Sequence, residues 1–158
     1  QHTSVPLSDE LAALRLYLEL ESIRFKDKFV YEINIDEDID PIMYKVPTML
    51  IQPYVENSIC HGIMPLEGNG IVKVDLNLNE DYILCTIEDN GIGREAAKER
   101  NLRRESNHNS LGTQITKSRL DLVNELYGTS LKTIYTDLEN ESGESTGTRV
   151  EIHIPILT

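Results

Sequence analysis

Apolar positions recur at helical spacing between Leu7 and Phe25, where Leu7, Leu11, Leu14, Leu18 and Phe25 form one seam. The pattern predicts a helix over residues 7–25, with Ser8 as its N-cap and acids in its first turn. Leu16, Leu20 and Ile23 make a second stripe, which is either part of a wide core-facing surface or a face belonging to something absent from the chain. Alternation takes over at residues 28–35, 71–78 and 82–88, each reading as a strand; a turn at 79–81 joins the last two into a hairpin. The stretch 131–136 and the alternating T-R-V-E-I-H-I-P of 148–155 give two more strands, separated by a flexible polar hairpin loop. A helix over 115–127, capped by Gly128, precedes them. Helix, strand, helix, two strands, polar segment, helix and two strands is the order of a two-layer α/β sandwich.

Within that frame the stretch from Tyr54 to Gly62, Y-V-E-N-S-I-C-H-G, is the one that sets polar chemistry on an apolar helix. Val55 and Ile59 face a core with Ile51, while Asn57 and His61, also four apart, point roughly the other way with Glu56 at their flank. An amphipathic surface helix whose polar side meets water has the same pattern. At the end of the hairpin, D-N-G-I-G (89–93) brings an acid out of a buried strand into a loop with two glycines. Gly91 and Gly93 would let backbone approach a flat ligand whose donor Asp89 accepts, although a simple turn uses the same letters. The polar segment 94–109 sets Arg94, Lys98, Arg100, Arg103 and Arg104 against Glu95, Glu99 and Glu105. That local sign suits a polyphosphate, and a partly helical exposed segment with paired charges fits equally. After it, S-L-G-T (110–113) runs into a helix, so free backbone N–H groups near Gly112 and Thr113 would make an anion site.

Composition narrows the classes. Fifteen basic against 27 acidic residues leave a net charge of −12, which disfavours a nucleic-acid surface and gives no support to membrane contact. No apolar run approaches the roughly 20 residues of a membrane span. Cys60 and Cys85 lack metal or disulfide spacing and read as small core residues, and His153 reads as solvated. The acidic turn with Asp36, Asp38 and Asp40 lacks the glycine and terminal glutamate of a calcium loop. Neither of the two common glycine-loop nucleotide motifs is present.

Four motifs stand in order: E-N-S-I-C-H-G, D-N-G-I-G, S-L-G-T, and G-T-R-V-E-I-H-I-P. The set resembles the ATP-binding catalytic domain of sensor histidine kinases in the GHKL superfamily, and the P-T-M-L-I-Q-P-Y-V context and the upstream helix look like the LytS-type subfamily. The resemblance covers nearly all of the chain. It implies a mixed, mainly antiparallel sheet covered by helices on one face (the Bergerat fold). Residues 1–27 would be the tail of an upstream dimerisation or linker helix and 28–158 the catalytic domain, with a nucleotide lid at about 94–112. Asn57 matches the asparagine that holds Mg2+ on the triphosphate, Glu56 a candidate base, and His61 a basic position near the phosphates. Asp89 matches the acid accepting the adenine amino group, with Gly91, Ile92 and Gly93 along the adenine wall, Leu111, Gly112 and Thr113 near the phosphates, and Thr148 supporting the base through water. Ser110 stands where many relatives carry glycine.

ATP and Mg2+ are therefore the expected cofactors, and transfer of the γ-phosphoryl group to a histidine the expected reaction. The family's acceptor histidine lies upstream of the segment matching 7–25, and nothing here matches it, so the resemblance implies a fragment of a larger, dimeric receptor. Its partners would be its own upstream phosphoacceptor domain and a response regulator. The fragment would be a cytoplasmic domain, and the full-length protein anchored in the cell membrane. An ATP-dependent switch without transfer, or a free-standing ATPase or anti-sigma-type serine kinase, are the alternatives.

Overall fold

The computed structural model describes residues 4–104, 121–122, 124–126, 128 and 132–157. A five-stranded sheet is ordered β2-β4-β5-β7-β6, made of β2 (Phe29–Ile35), β4 (Gly70–Asn79), β5 (Tyr82–Asp89), β6 (Thr133–Glu139) and β7 (Ser145–Pro155). All neighbours are antiparallel except β2 and β4, which run parallel from Phe29↔Gly70 to Ile35↔Leu76. The sandwich is thus mixed and mainly antiparallel, as the resemblance implies. Its inner face carries Val72, Val74, Leu76, Ile83, Cys85, Ile87, Val150, Ile152 and Ile154, all buried, while the residues between them face outward.

Helix α1 (Leu7–Arg24) lays Leu7, Leu11, Leu14 and Leu18 into that core, with Phe25 half-buried at its end. The second stripe is exposed: Leu16 is 58%, Leu20 56% and Ile23 67% accessible. Ser8 is not the N-cap, because the helix starts one residue earlier. The amides of Leu7 and Ser8 donate instead to the carbonyls of Tyr44 and Pro41, at 2.8 and 2.7 Å, contacts from distant sequence that local pattern does not reveal. Two short strands, β1 (Ser4–Pro6) and β3 (Lys45–Pro47), pair antiparallel beside this start.

The organising helix is α2 (Gln52–Asn57), continued without a break by a π-helical turn, Ser58–Ile63. The amide of Met64 reaches back five residues to the carbonyl of Ile59 at 2.9 Å. Pro53 sits in the first turn of α2, where its missing N–H costs nothing. Tyr54, Val55, Ile59 and Ile63 are buried. Cys60 is exposed, contrary to its reading as a core residue: the widened turn leaves Ile59 and Ile63 on the inner side and sets Cys60 within electrostatic reach of Tyr17 and Glu21 of α1. Cys85 is buried as expected. His153 is also not simply solvated; it is half-buried and stacks on the Tyr82 ring, 4.5 Å between centroids.

After β5, helix α3 (Arg94–Arg104) takes up most of the basic segment. The Arg94 guanidinium is bidentate to Asp137 of β6, at 2.8 and 3.1 Å, and lies over the Tyr135 ring at 4.8 Å. The start of this segment is thus helical, and its Arg94 is paired with β6. The segment 105–120, with the glycine loop, lies outside the described residues.

Candidate functional site

Asp89 is the centre of the site. It ends β5 at an inward-facing position and is 4% exposed, one of two buried charged residues among those described. Its Oδ1 accepts the amide of Gly91 at 2.8 Å, and the Ser58 hydroxyl and the Thr148 backbone donate to the same carboxylate. Burial pushes its pKa up from the ordinary 3.8 to about 6, and the hydrogen bonds from Gly91, Ser58 and Thr148 oppose the rise.

The loop after Asp89 is pressed against the π turn. Ile92 donates its amide to the Gly62 carbonyl at 3.0 Å. A Cβ on Gly91 would meet the Gly62 backbone carbonyl carbon at 2.3 Å, and a Cβ on Gly62 would meet Asp89 Oδ1 at 2.9 Å. The close approach at Gly91 is that of the Gly62 backbone. On the other side Gly147, at φ +138, lets the β5 backbone come close: a Cβ there would lie 1.9 Å from the Asp89 carbonyl oxygen. Gly93 has φ +89, where glycine is favoured.

The structure brings Asp89, Gly91, Ile92 and Thr148 together with Ser58 and Gly62, which sequence reasoning had not singled out. The available signal was their spacing: two small residues four apart on one helix mark where another backbone can press close. Glu56 and Asn57, both half-buried, lie on α2 just before Ser58. Glu56 is turned toward α1, and its pKa is raised by burial first and then by Glu21. His61, half-buried, is held below the usual imidazole pKa by burial and then by the Arg100 guanidinium of α3, which favours its neutral form. Leu111, Gly112 and Thr113 lie outside the described residues.

Among the described residues no three histidine, cysteine or acidic side chains cluster as a metal cage. One amide oxygen at Asn57 is nonetheless a hard ligand of the kind Mg2+ takes when phosphates and water complete its shell, so the donor chemistry fits a nucleotide-borne ion. The buried Asp89 carboxylate, which ends β5 and is hydrogen-bonded by Ser58, the residue after Asn57, suits the other end of such a ligand.

The fold is that of histidine kinase catalytic domains. The catalytic domain of histidine kinase ThkA superposes with a TM-score of 0.63 at 15% identity, covering 98% of this chain and 95% of that one. The mycobacterial sensor histidine kinase MprB gives 0.62 at 21% identity, covering 99% and 98%. In sequence, the chain is homologous to sensor histidine kinases, LytS proteins among them. It is 31% identical to sensor protein LytS of Staphylococcus haemolyticus over 160 residues, covering 100% of this chain and 26% of that protein. Sensor histidine kinase YpdA of Escherichia coli is 34% identical over 89 residues, 56% of this chain and 15% of YpdA. The chain thus spans about a quarter or less of the length of these two relatives. No family model matches it. No helix among the described residues is long and apolar enough to cross a membrane.

Proposed function

We propose that this chain is the ATP-binding catalytic domain of a two-component sensor histidine kinase and passes the γ-phosphoryl group of ATP to a histidine on an upstream domain. The observation that carries the reading is Asp89: a carboxylate buried to 4% exposure, at the junction of β5 and the π turn, in the fold of histidine kinase catalytic domains. In this reading its ionised form accepts the adenine amino group, with Gly91, Ile92 and Gly93 forming the wall beside the base and Thr148 supporting it through water. Asn57 holds Mg2+ through its amide oxygen, and the ion, when bound, neutralises phosphate charge. Glu56, made more proton-avid by burial and by Glu21, is the base that polarises the accepting imidazole. Neutral His61 and cationic Arg100 border the phosphate side, and Leu111, Gly112 and Thr113 complete it. Catalysis is then mainly positioning and charge stabilisation.

Residues 1–27 belong, in this reading, with the upstream dimerisation and linker helix, and about 94–112 with the nucleotide lid. The relatives named sensor histidine kinases, and a neighbour that is ThkA in complex with the response regulator TrrA (TM-score 0.63, 14% identity, 99% of this chain and 42% of that one), support a response regulator as partner; a dimeric, membrane-anchored whole protein is part of the same proposal. Titration calorimetry with ATP, ADP and GTP, with and without magnesium, tests the site. Adenine nucleotides should bind with magnesium dependence; equal affinity for GTP, or Asp89→Ala binding ATP like the parent, would refute the adenine assignment. Mixed with its upstream domain, the chain should label that domain with acid-labile, alkali-stable phosphate. ATP binding without any such label would instead favour a nucleotide-driven switch.

A further inference from the structure

Among the described residues only Glu10 and Asp89 are charged side chains buried from solvent, and Glu10 takes no part in the site above. It lies on the leucine seam of α1 at 4% exposure, where its Oε2 accepts the backbone amide of Met49 at 2.7 Å. Met49 stands at φ 58, a left-handed conformation that glycine adopts freely and a side chain resists. Three residues later α2 begins, and its end carries Glu56 and Asn57. The amides of Leu7 and Ser8 bond the carbonyls of Tyr44 and Pro41, and β1 pairs with β3, so the start of α1 and the segment from Pro41 to Met49 form one piece. A carboxylate is a costly way to fill an apolar seam, where leucine would need no desolvation. What it adds is an acceptor for a strained turn.

We propose that Glu10 is a positioning residue: by holding the Met49 amide it sets the turn from which α2 presents Glu56 and Asn57, and so couples the N-terminal end of α1 to the metal end of the nucleotide site. Its effect on nucleotide rests on the kinase reading; its effect on α2 does not. Amide spectra of the nucleotide-free chain separate the two, using Glu10→Gln, Glu10→Ala, Glu10→Ala with Met49→Gly, and Leu14→Ala as a packing control. Glu10→Ala should shift the resonances of Gln52–Asn57 and leave those of Asp89–Ile92 in place. Glu10→Gln, which keeps an acceptor oxygen, should retain the parent pattern. Met49→Gly should restore it in the double variant, because glycine holds that φ unaided. In calorimetry, magnesium-ATP affinity of Glu10→Ala should fall about tenfold, as when the support of a metal ligand is removed. Adenosine affinity, which depends on Asp89, should stay at the parent value. Unshifted α2 resonances in Glu10→Ala, or shifts spread through the core as in Leu14→Ala with no rescue by Met49→Gly, would overturn the proposal. A parent chain that binds no adenine nucleotide would defeat the functional reading, while the amide spectra still decide the role of Glu10.

Discussion

The carbonyl of Gly62 accepts the amide of Ile92 at 3.0 Å, so the end of the π turn and the loop after β5 are joined backbone to backbone. The two segments that bear the candidate site are therefore a single rigid corner. Its closeness depends on hydrogen in place of a methyl group at two glycines.

Gly91→Ala should destabilise the fold by about 3 kcal/mol or more, the upper end of overpacking, because the added methyl meets the Gly62 backbone, which cannot yield without opening the corner. Gly68→Ala is the control. Gly68 has φ +89 but nothing near its Cβ position, so only backbone strain of about 1 kcal/mol is expected. Urea unfolding of both variants measures the difference.

Asp89 predicts a pH dependence of opposite sign for stability and for binding. An acid whose pKa is 3.8 unfolded and about 6 folded holds its proton more tightly when folded. Its contribution to stability is therefore greatest at low pH and declines as pH rises from about 4 to about 6, by an amount on the order of 3 kcal/mol. Nucleotide binding should do the reverse and weaken as pH falls through about 6, because the adenine amino group needs the ionised acceptor. Asp89→Asn, which keeps an oxygen for the Gly91 amide, should flatten the stability slope from this group in thermal melts across that range.

Arg94→Ala removes a bidentate ion pair whose partners are both nearly half exposed, so the loss of global stability should be no more than about 1 kcal/mol. The local effect should be larger. Amide exchange along α3 should accelerate, because Arg94 ties its first turn to β6 through Asp137 and Tyr135. Exchange in α3 unchanged from the parent would mean that other contacts hold the helix.

The two stripes of α1 should respond differently. Leu14→Ala empties a fully buried position and should cost about 2–5 kcal/mol. Leu20→Lys changes an exposed one and should stay within about 0.5 kcal/mol in the isolated chain. Thermal denaturation of the pair decides whether the second stripe contributes to this fold.

Much of the sheet is legible in the letters, because β4, β5 and β7 bury one face and alternation is then enforced at every second residue. The buried seam of α1 and the placement of Asp89 at a strand end were legible for the same reason. The π turn was not: one extra residue per turn leaves the order of residues untouched while changing which side Cys60 faces. Nor were β1 and β3, three residues each and too short to show a period. The amides at the start of α1 find acceptors more than thirty residues away, at Tyr44 and Pro41, so a nearby serine looked like the cap. Gly91 was recognised as special, but its partner was the backbone of Gly62, a contact between two segments that no local window contains.

The parallel pairing of β2 with β4 bears on the order in which the molecule assembles. The β4–β5 hairpin closes across a two-residue turn, whereas Phe29 meets Gly70 only after the helical segment between them has been looped back. Refolding should therefore show early, strong involvement of the hairpin and late docking of β2. Substitutions at Ile83 or Leu76 would slow folding, and those at Phe29 or Ile33 would chiefly speed unfolding. A strand made early on the ribosome would wait for its neighbour, leaving the β4 edge uncovered in the meantime.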